Sequence, residues 1–286
     1  MLPRVTARVY HTPRLDVPYL KSPGVALISL PHVDLSGCDD YLDNFGPELG
    51  FQEYLADPDP LPPAEQLVKY AGQQCYLSFG PKRSWNKDVA KYLTNIKQSG
   101  HGSVLEHAVF VFDVWGVSRS LTHELVRHRS GWGYSQLSQR YVDGSALRFV
   151  ERPEYQGEPA LHHRFEDNIE AAKRLYDDFA ERLLAKLGPT FPDDMPRTER
   201  RKRVNQAARS VLPNETETAL VVSANVRAWR HFLEMRCAGP AEVEIRALAH
   251  RIYQCLVQVA PVLFDDYFEV ALPDGSVALQ TQYRKV

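Results

Sequence analysis

Residues 106–129 read EHAVFVFDVWGVSRSLTHELVRHR. Glu106 to Val117 is dense in aromatic and β-branched side chains, which suit a pleated surface and predict a strand. Ser118 has the hydroxyl expected of a helix N-cap, and the helix it opens is predicted to run to about Arg129. A strand passing directly into a helix that ends in Arg127-His128-Arg129 frames the rest of the chain.

Upstream, the apolar spacing is helical over Ala64–Leu77 and again over Asn86–Gln98. The first of these follows an acidic, proline-rich linker, ADPDPLPPAEQ, and Pro63 suits a first helical turn. Residues 1–62 are irregular in pattern, with short β-like pieces such as Val25–Leu30, and read as an N-terminal extension of uncertain structure. Downstream, a glycine-rich loop and a short strand near Leu147–Val150 lead to Pro159. There a long helix opens: Phe165, Ile169, Ala172, Tyr176, Phe179, Leu183 and Leu187 recur at spacings of three and four. Gly188-Pro189 stops it. A basic helix to about Val211, a strand over Thr218–Ala224, and helices over Val226–Cys237 and Ala241–Leu263 complete the pattern. The expected class is α+β, richer in helix, with no internal repeat and no clean second-domain boundary.

Composition excludes several classes. The chain has 286 residues, 44% hydrophobic and 24% charged, with 34 Lys+Arg against 36 Asp+Glu for a net charge of −2. A dedicated nucleic-acid binder would carry a basic excess, whereas a small anionic ligand needs only a few placed cations. Cys38, Cys75, Cys237 and Cys255 are scattered with no C-x-x-C pair, so neither a disulfide framework nor a zinc ribbon is expected. The charged, proline-containing start lacks a signal peptide's apolar stretch, and no run approaches the ~18 apolar residues of a membrane span. The expected compartment is the cytoplasm. Gly131-x-Gly133 lacks the third glycine of a dinucleotide fingerprint, and no P-loop occurs. His123 and His128 stand five apart, which turns the second ring ~140° from the first, so no zinc helix and no other metal site is expected.

Arg119, His123 and Arg127 are four apart and share a helix face. Cations there would complement the helix dipole, by ~0.3–1 kcal/mol each. The following loop, SGWGYSQLSQRY over 130–141, adds flexible backbone and a dense set of donors. Guanidinium forks suit phosphate oxygens, and amides and hydroxyls suit the edges of a planar base.

Arg127-His128-Arg129, eight residues, then Ser138 resembles the R-H-R-x(7–8)-S signature of flavin-dependent thymidylate synthases, the ThyX family. Gly100-His101-Gly102-Ser103-Val104-Leu105-Glu106-His107 resembles that family's G-H-x-S-x-x-E-H segment. Ser118-Arg119 and Ala208-Arg209-Ser210-Val211-Leu212-Pro213 match further segments. Asn225-Val226-Arg227, His231, Met235-Arg236 and Glu242-x-Glu244-Ile245-Arg246 follow in family order. The resemblance covers roughly residues 64–265, and residues 63–286 are read as the catalytic domain.

The resemblance implies a central antiparallel sheet flanked by helices, assembled as a homotetramer with active sites between subunits. The implied reaction methylates dUMP at C5, with methylenetetrahydrofolate as carbon donor, reduced FAD as hydride carrier and NADPH as the reductant of the flavin. It assigns FAD to Val109, Arg127, His128, Arg129, Gln136, Asn225, Val226, Arg227 and His231. It assigns dUMP to Glu124, Arg127, Gln136, Leu137, Ser138, Gln139, Arg140, Arg209 and Arg236. Arg236 matches the arginine that promotes ionisation at uracil N3, so it is the candidate catalytic residue. Negative charge on the pyrimidine makes C5 more nucleophilic, and a fixed guanidinium stabilises it without giving up a proton.

Some positions depart from the pattern. Val109 stands where the family often has Ser or Thr, Gln136 where many members have Glu, and the Ser130–Gly133 stretch is one residue longer than in seven-spacer members. His107 is read either as a structural histidine at a strand start or as a neighbour of the flavin and folate. Trp115, Trp229 and Phe232 are expected in the core, and Arg197–Arg203 on a solvated helix face. Two rival readings stand beside the main one: a relative that methylates UMP, and a flavin- or nucleotide-binding protein without catalysis.

Overall fold

The computed structural model describes residues 1–142 and 146–286. Its centre is a five-stranded antiparallel sheet. The strands are β1 (Arg4–Val5), β4 (Gly24–Ser29), β5 (Val109–Ser118), β6 (Trp132–Gln136) and β8 (Glu217–Asn225), in the order β1-β4-β5-β8-β6. A second small sheet joins β2 (Val9–His11), β3 (Pro18–Leu20) and β7 (Phe149–Val150), and β9 (Tyr267–Ala271) pairs with β10 (Val277–Thr281) as a hairpin. Residues 1–62 are thus built into the frame: β1 and β4 form one edge of the main sheet.

Alternation in β5 sets the layers. Phe110, Phe112 and Val114 point to one face and are buried, as are Leu220, Val222 and Ala224 of β8. Helices cover that face. They include α3 (Pro63–Gln74) and α4 (Val89–Gln98), which follow the short helices α1 (Asp39–Leu42) and α2 (Phe51–Leu55). Beyond β8 come α8 (Val226–Arg236), α9 (Val243–Val259) and α10 (Pro261–Phe264). Trp229 and Phe232 of α8 are fully buried, Trp229 packing edge-on against both Phe112 and Phe232. The other face of the sheet carries half-exposed Val111, Asp113 and Trp115. Gly116 turns the end of β5: its φ of +64° suits glycine, the pairing with β8 shifts register there, and a Cβ would stand 3.0 Å from Leu20 Cδ2.

The long helix α6 (Pro159–Leu187) lies against the small sheet through Phe165 and Ile169, and α7 (Arg197–Ala208) follows it. The basic run on α7 is largely solvent-facing and locally paired, Lys202 and Arg203 with Glu199. Arg200 donates to the carbonyls of Pro192, Asp193 and Met195. A buried ionic group ties the far end of the core. Asp266 accepts from Arg230 through both oxygens at 2.8 Å and from Lys97 at 2.8 Å. Burial opposes its charge, but Arg230, Lys97 and Thr281 hold the carboxyl down at about 2.

Three elements differ from the sequence reading. The helix opened by Ser118, α5 (Arg119–Leu125), ends four residues before Arg129. Its last carbonyls are taken by i→i+3 amides, Arg127 N to Glu124 and His128 N to Leu125, so the cationic triplet lies on a turn beyond the helix. The loop over 132–136 forms β6, because the free edge of β8 offers a row of backbone partners. The helix expected over Ala241–Leu263 breaks at Ala260, whose φ of −148° and ψ of 63° reflect the restriction imposed by Pro261. The β9–β10 hairpin turns at Pro273-Asp274-Gly275, where Gly275 has a φ of +78°; that turn signal between two apolar runs was not read as a hairpin.

Candidate active site

The turn over Arg127–Trp132 and the first turns of α8 face each other across a cleft of about 570 Å³. Asn225 begins α8 as its N-cap, its Oδ1 accepting from the Ala228 amide at 2.8 Å. Arg227, Ala228, His231 and Met235 then recur along one face and form a wall. Arg127, His128, Arg129, Ser130, Gly131 and Trp132 form the other, Arg236 closes one end, and Glu106 stands at the rim paired with Arg227.

Arg236 is the best-anchored cation in the cleft. Its Nη1 donates to Glu124 Oε2 at 2.7 Å, its Nη2 to the Glu124 carbonyl at 3.3 Å, and its Nε to His128 Nε2 at 3.1 Å. The imidazole must be neutral to accept that bond. Burial, reinforced by the adjacent Arg236 and by His231, pushes the His128 ring down to about 4. His128 also packs edge-on against Phe232 and His231, with Trp132 tilted beside it. The result is a guanidinium of fixed orientation, backed by a carboxylate and an uncharged acceptor, with planar aromatic surface alongside.

The cleft suits a flavin nucleotide. Guanidiniums and imidazoles supply donors for phosphate and ring oxygens. The turn leaves room that any other residue would fill: at Gly131, φ is +77° and a Cβ would lie 2.9 Å from Asn225 Nδ2. Trp132 supplies an aromatic wall, 4.6 Å from Trp229 between ring centroids.

The residues expected to bind ligands fall into two groups. Arg127, His128, Arg129, Asn225, Arg227, His231 and Arg236 line the cleft, with Glu124 directly behind Arg236. Val109 pairs with Asn225 across β5 and β8 and is 42% exposed, but it does not line the cleft. Val226 is buried, its amide bonded to the Ala108 carbonyl at 2.9 Å. Gln136 directs its amide to Thr122 and Thr218 hydroxyls at 3.4 and 3.3 Å. Leu137 and Gln139 line a separate, more apolar cavity of about 420 Å³, with Leu147, Tyr176 and Leu212. Ser138 Oγ accepts from the Arg140 amide at 3.4 Å, and among the described residues Gln139 Nε2 and Arg140 Nε are buried without a hydrogen-bond partner. Arg209 sits close enough to Arg119 to lower that guanidinium's pKa, after burial, by repulsion. The extended β6 separates the groups: from Trp132 to Leu137 is about 17 Å at ~3.4 Å per residue.

Sequence reasoning did not assign Glu106, Trp132 or Met235 to the site, although all three line the cleft. Glu106 and Met235 lie inside the motif segments, and Trp132 inside the donor-rich loop, but nothing in their spacing distinguished them from packing residues. His107 is exposed at the start of β5 and outside the cleft lining. Cys237 and Cys255 are buried thiols, pushed up by burial to about 12 and about 11. Among the described residues no group of three His, Cys, Asp or Glu side chains could hold a metal ion, and no helix is long and apolar enough to cross a membrane.

An antiparallel sheet backed by helices, with a cationic, aromatic-walled cleft at the start of α8, defines a mixed α/β nucleotide-site protein. Comparison with known proteins narrows this. The family described as thymidylate synthase complementing protein matches residues 59–262. The flavin-dependent thymidylate synthase of Mycobacterium marinum (strain ATCC BAA-535 / M) is 44% identical over 229 residues, covering 78% of this chain and 90% of that one. That of Mycobacterium tuberculosis (strain ATCC 25618 / H37Rv) is 46% identical over 210 residues, covering 73% and 82%. The chain belongs to the flavin-dependent thymidylate synthase family. A crystal structure of the UMP/dUMP methylase PolB from Streptomyces cacaoi, bound with 5-Br UMP, shares the fold: its TM-score is 0.59 at 18% identity, covering 87% of this chain and 95% of that one.

Proposed function

We propose that this chain catalyses the reductive methylation of dUMP at C5 to dTMP, with FAD in the cleft, methylenetetrahydrofolate as carbon donor and NADPH as reductant, in the cytoplasm. The observation that carries the reading is the clamped Arg236 at the end of a cleft suited to a flavin. When bound, reduced FAD supplies hydride chemistry that no side chain here can provide. The chain's own residues do the rest. Arg127, His128, Arg129, Asn225, Arg227 and His231 hold and orient the flavin. Arg236 stabilises negative charge on the pyrimidine, and its three anchors mean that no reorganisation is needed as that charge develops.

Arg127 and Glu124 contribute to the nucleotide pocket from the cleft side; Gln136, Leu137, Ser138, Gln139, Arg140 and Arg209 contribute from the loop side. The family resemblance supports a homotetramer with active sites between subunits. Val109, Val226 and Gln136 lie outside the cleft lining, and their assignment to the flavin rests on the family resemblance. Residues 63–286 carry the catalytic apparatus, and residues 1–62 extend its sheet.

The test is anaerobic turnover of dUMP and UMP, side by side, with methylenetetrahydrofolate and NADPH, on protein sized in solution. A yellow tetramer that converts dUMP to dTMP is the expected result, and preferential conversion of UMP identifies the alternative substrate. A colourless monomer that gains no flavin absorbance on adding FAD, and forms neither product, refutes the proposal.

A further inference from the structure

Tyr134 belongs to none of the groups assigned above, yet it joins the two halves of the site. Its backbone is part of β6, paired with Val222 of β8, midway between the cleft and the nucleotide loop. Its side chain crosses to the end of α5. There Tyr134 Oη lies 2.9 Å from the carbonyl oxygens of both Leu125 and His128, and donates its single proton between them. The Leu125 carbonyl also accepts from the His128 amide at 3.1 Å, so the phenol is a second donor to that oxygen at the end of the helix. Burial pushes the phenol's pKa up, so it stays a donor throughout the range in which the protein is folded. The ring stacks on Trp132 at 5.8 Å with an interplanar angle of 8°.

The consequence runs through one residue. His128 is held at its carbonyl by Tyr134, and its ring accepts from Arg236 Nε at 3.1 Å. We propose that Tyr134 is a positioning residue for Arg236: its hydroxyl fixes the turn that carries His128, and so fixes the acceptor that orients the guanidinium. This rests on the reading of Arg236 given above. Without the hydroxyl, the turn over 126–129 keeps its sequence and charge but loses the contact that sets the depth of the imidazole. The groups facing that imidazole are Arg236 and His231 from α8, with Glu124 of α5 behind Arg236. A ring that backs away from Arg236 toward water protonates more easily.

The discriminating variant is Tyr134→Phe, which keeps the ring and its stack on Trp132. The first measurement needs no ligand: NMR titration of the His128 ring in the full-length protein, assigned by its absence in His128→Gln. In the parent protein the ring stays neutral to about pH 4. In Tyr134→Phe its midpoint moves up by about one unit or more, toward the unperturbed ~6.5. The second measurement is the oxidative half-reaction with dUMP and methylenetetrahydrofolate, expected to slow about tenfold with dUMP affinity changed less than threefold, the scale of one lost intramolecular hydrogen bond acting through Arg236. The double variant Tyr134→Phe/His128→Gln is expected to be no slower than His128→Gln alone, because both act through one acceptor. An unmoved His128 titration in Tyr134→Phe, or additive losses in the double variant, overturns the proposal. If the parent protein itself forms no dTMP, the functional reading fails, while the ligand-free titration still decides the role of Tyr134.

Discussion

Replacing Arg236 by lysine keeps the charge and removes the planar fork. In the structure the guanidinium spends three donors on its supports, two on Glu124 and one on His128, at 2.7 to 3.3 Å. A single ammonium on a flexible stem can hold the Glu124 carboxylate or face the pyrimidine, but it cannot do both with a fixed direction. Losing one oriented donor to developing charge typically costs ~10²–10³ in rate, or about 3–4 kcal/mol of transition-state stabilisation. The remaining positive charge still attracts an anionic substrate, so the apparent KM for dUMP should move by less than about tenfold. The flavin wall is untouched, so Arg236→Lys should bind FAD and accept hydride from NADPH at close to the parent rate. Rapid mixing separates the steps: flavin reduction by NADPH first, then anaerobic reoxidation with dUMP and methylenetetrahydrofolate. Normal reoxidation with a normal yield of dTMP would remove Arg236 from the chemical step, whatever its role in binding.

Acid should weaken the fold through His128. Its folded value of about 4 lies below the unfolded ~6.5, so the unfolded chain binds the extra proton first, and stability is lost as pH falls from about 6.5 to about 4. The loss is at most about 3 kcal/mol, reduced because the ring is only part-buried, and parallel denaturant titrations of the parent and His128→Gln should show a shallower pH slope in the variant. Ser138→Ala should retain methylation while weakening dUMP binding about 3- to 10-fold, because among the described residues the hydroxyl's one hydrogen-bond partner is the Arg140 amide and no base activates it. Complete loss of chemistry at unchanged dUMP affinity would reverse that assignment. Gly131→Ala strains a left-handed backbone by ~1–2 kcal/mol and drives a methyl toward Asn225, the cap of α8; flavin fluorescence titration should show weaker FAD binding, and unchanged affinity would mean the turn does not cradle the flavin.

The local code of this chain carried most of the scaffold. The aromatic and β-branched run before Ser118 became the central strand β5, and the Ser118 hydroxyl caps α5 by accepting from Leu121 N at 3.0 Å. The three-and-four spacing from Phe165 to Leu187 became α6, opened by Pro159 and stopped at Gly188. The ordered motif segments also placed the chain in its family before any coordinate was known. These features are legible because caps, breakers and amphipathic period act within a few residues of where they are read.

The site itself was decided by distance in space. Glu124 and Arg236 are 112 residues apart, and nothing local says that one clamps the other. β6 alternates only Trp132 and Tyr134 with Gly133 and Ser135, too short a pattern to distinguish a strand from a glycine-rich loop; it is a strand because the edge of β8 presents amides and carbonyls that need partners. The same pairing decides two further things. It stretches the segment between the cationic turn and the nucleotide loop to about 17 Å, which divides the expected ligand residues into two groups. It also carries Tyr134 beneath His128, where one hydroxyl meets two carbonyls that the sequence had counted as part of a longer helix. Propensity is a property of neighbours along the chain; the orientation of Arg236 is set by groups that only the folded sheet and helices bring together.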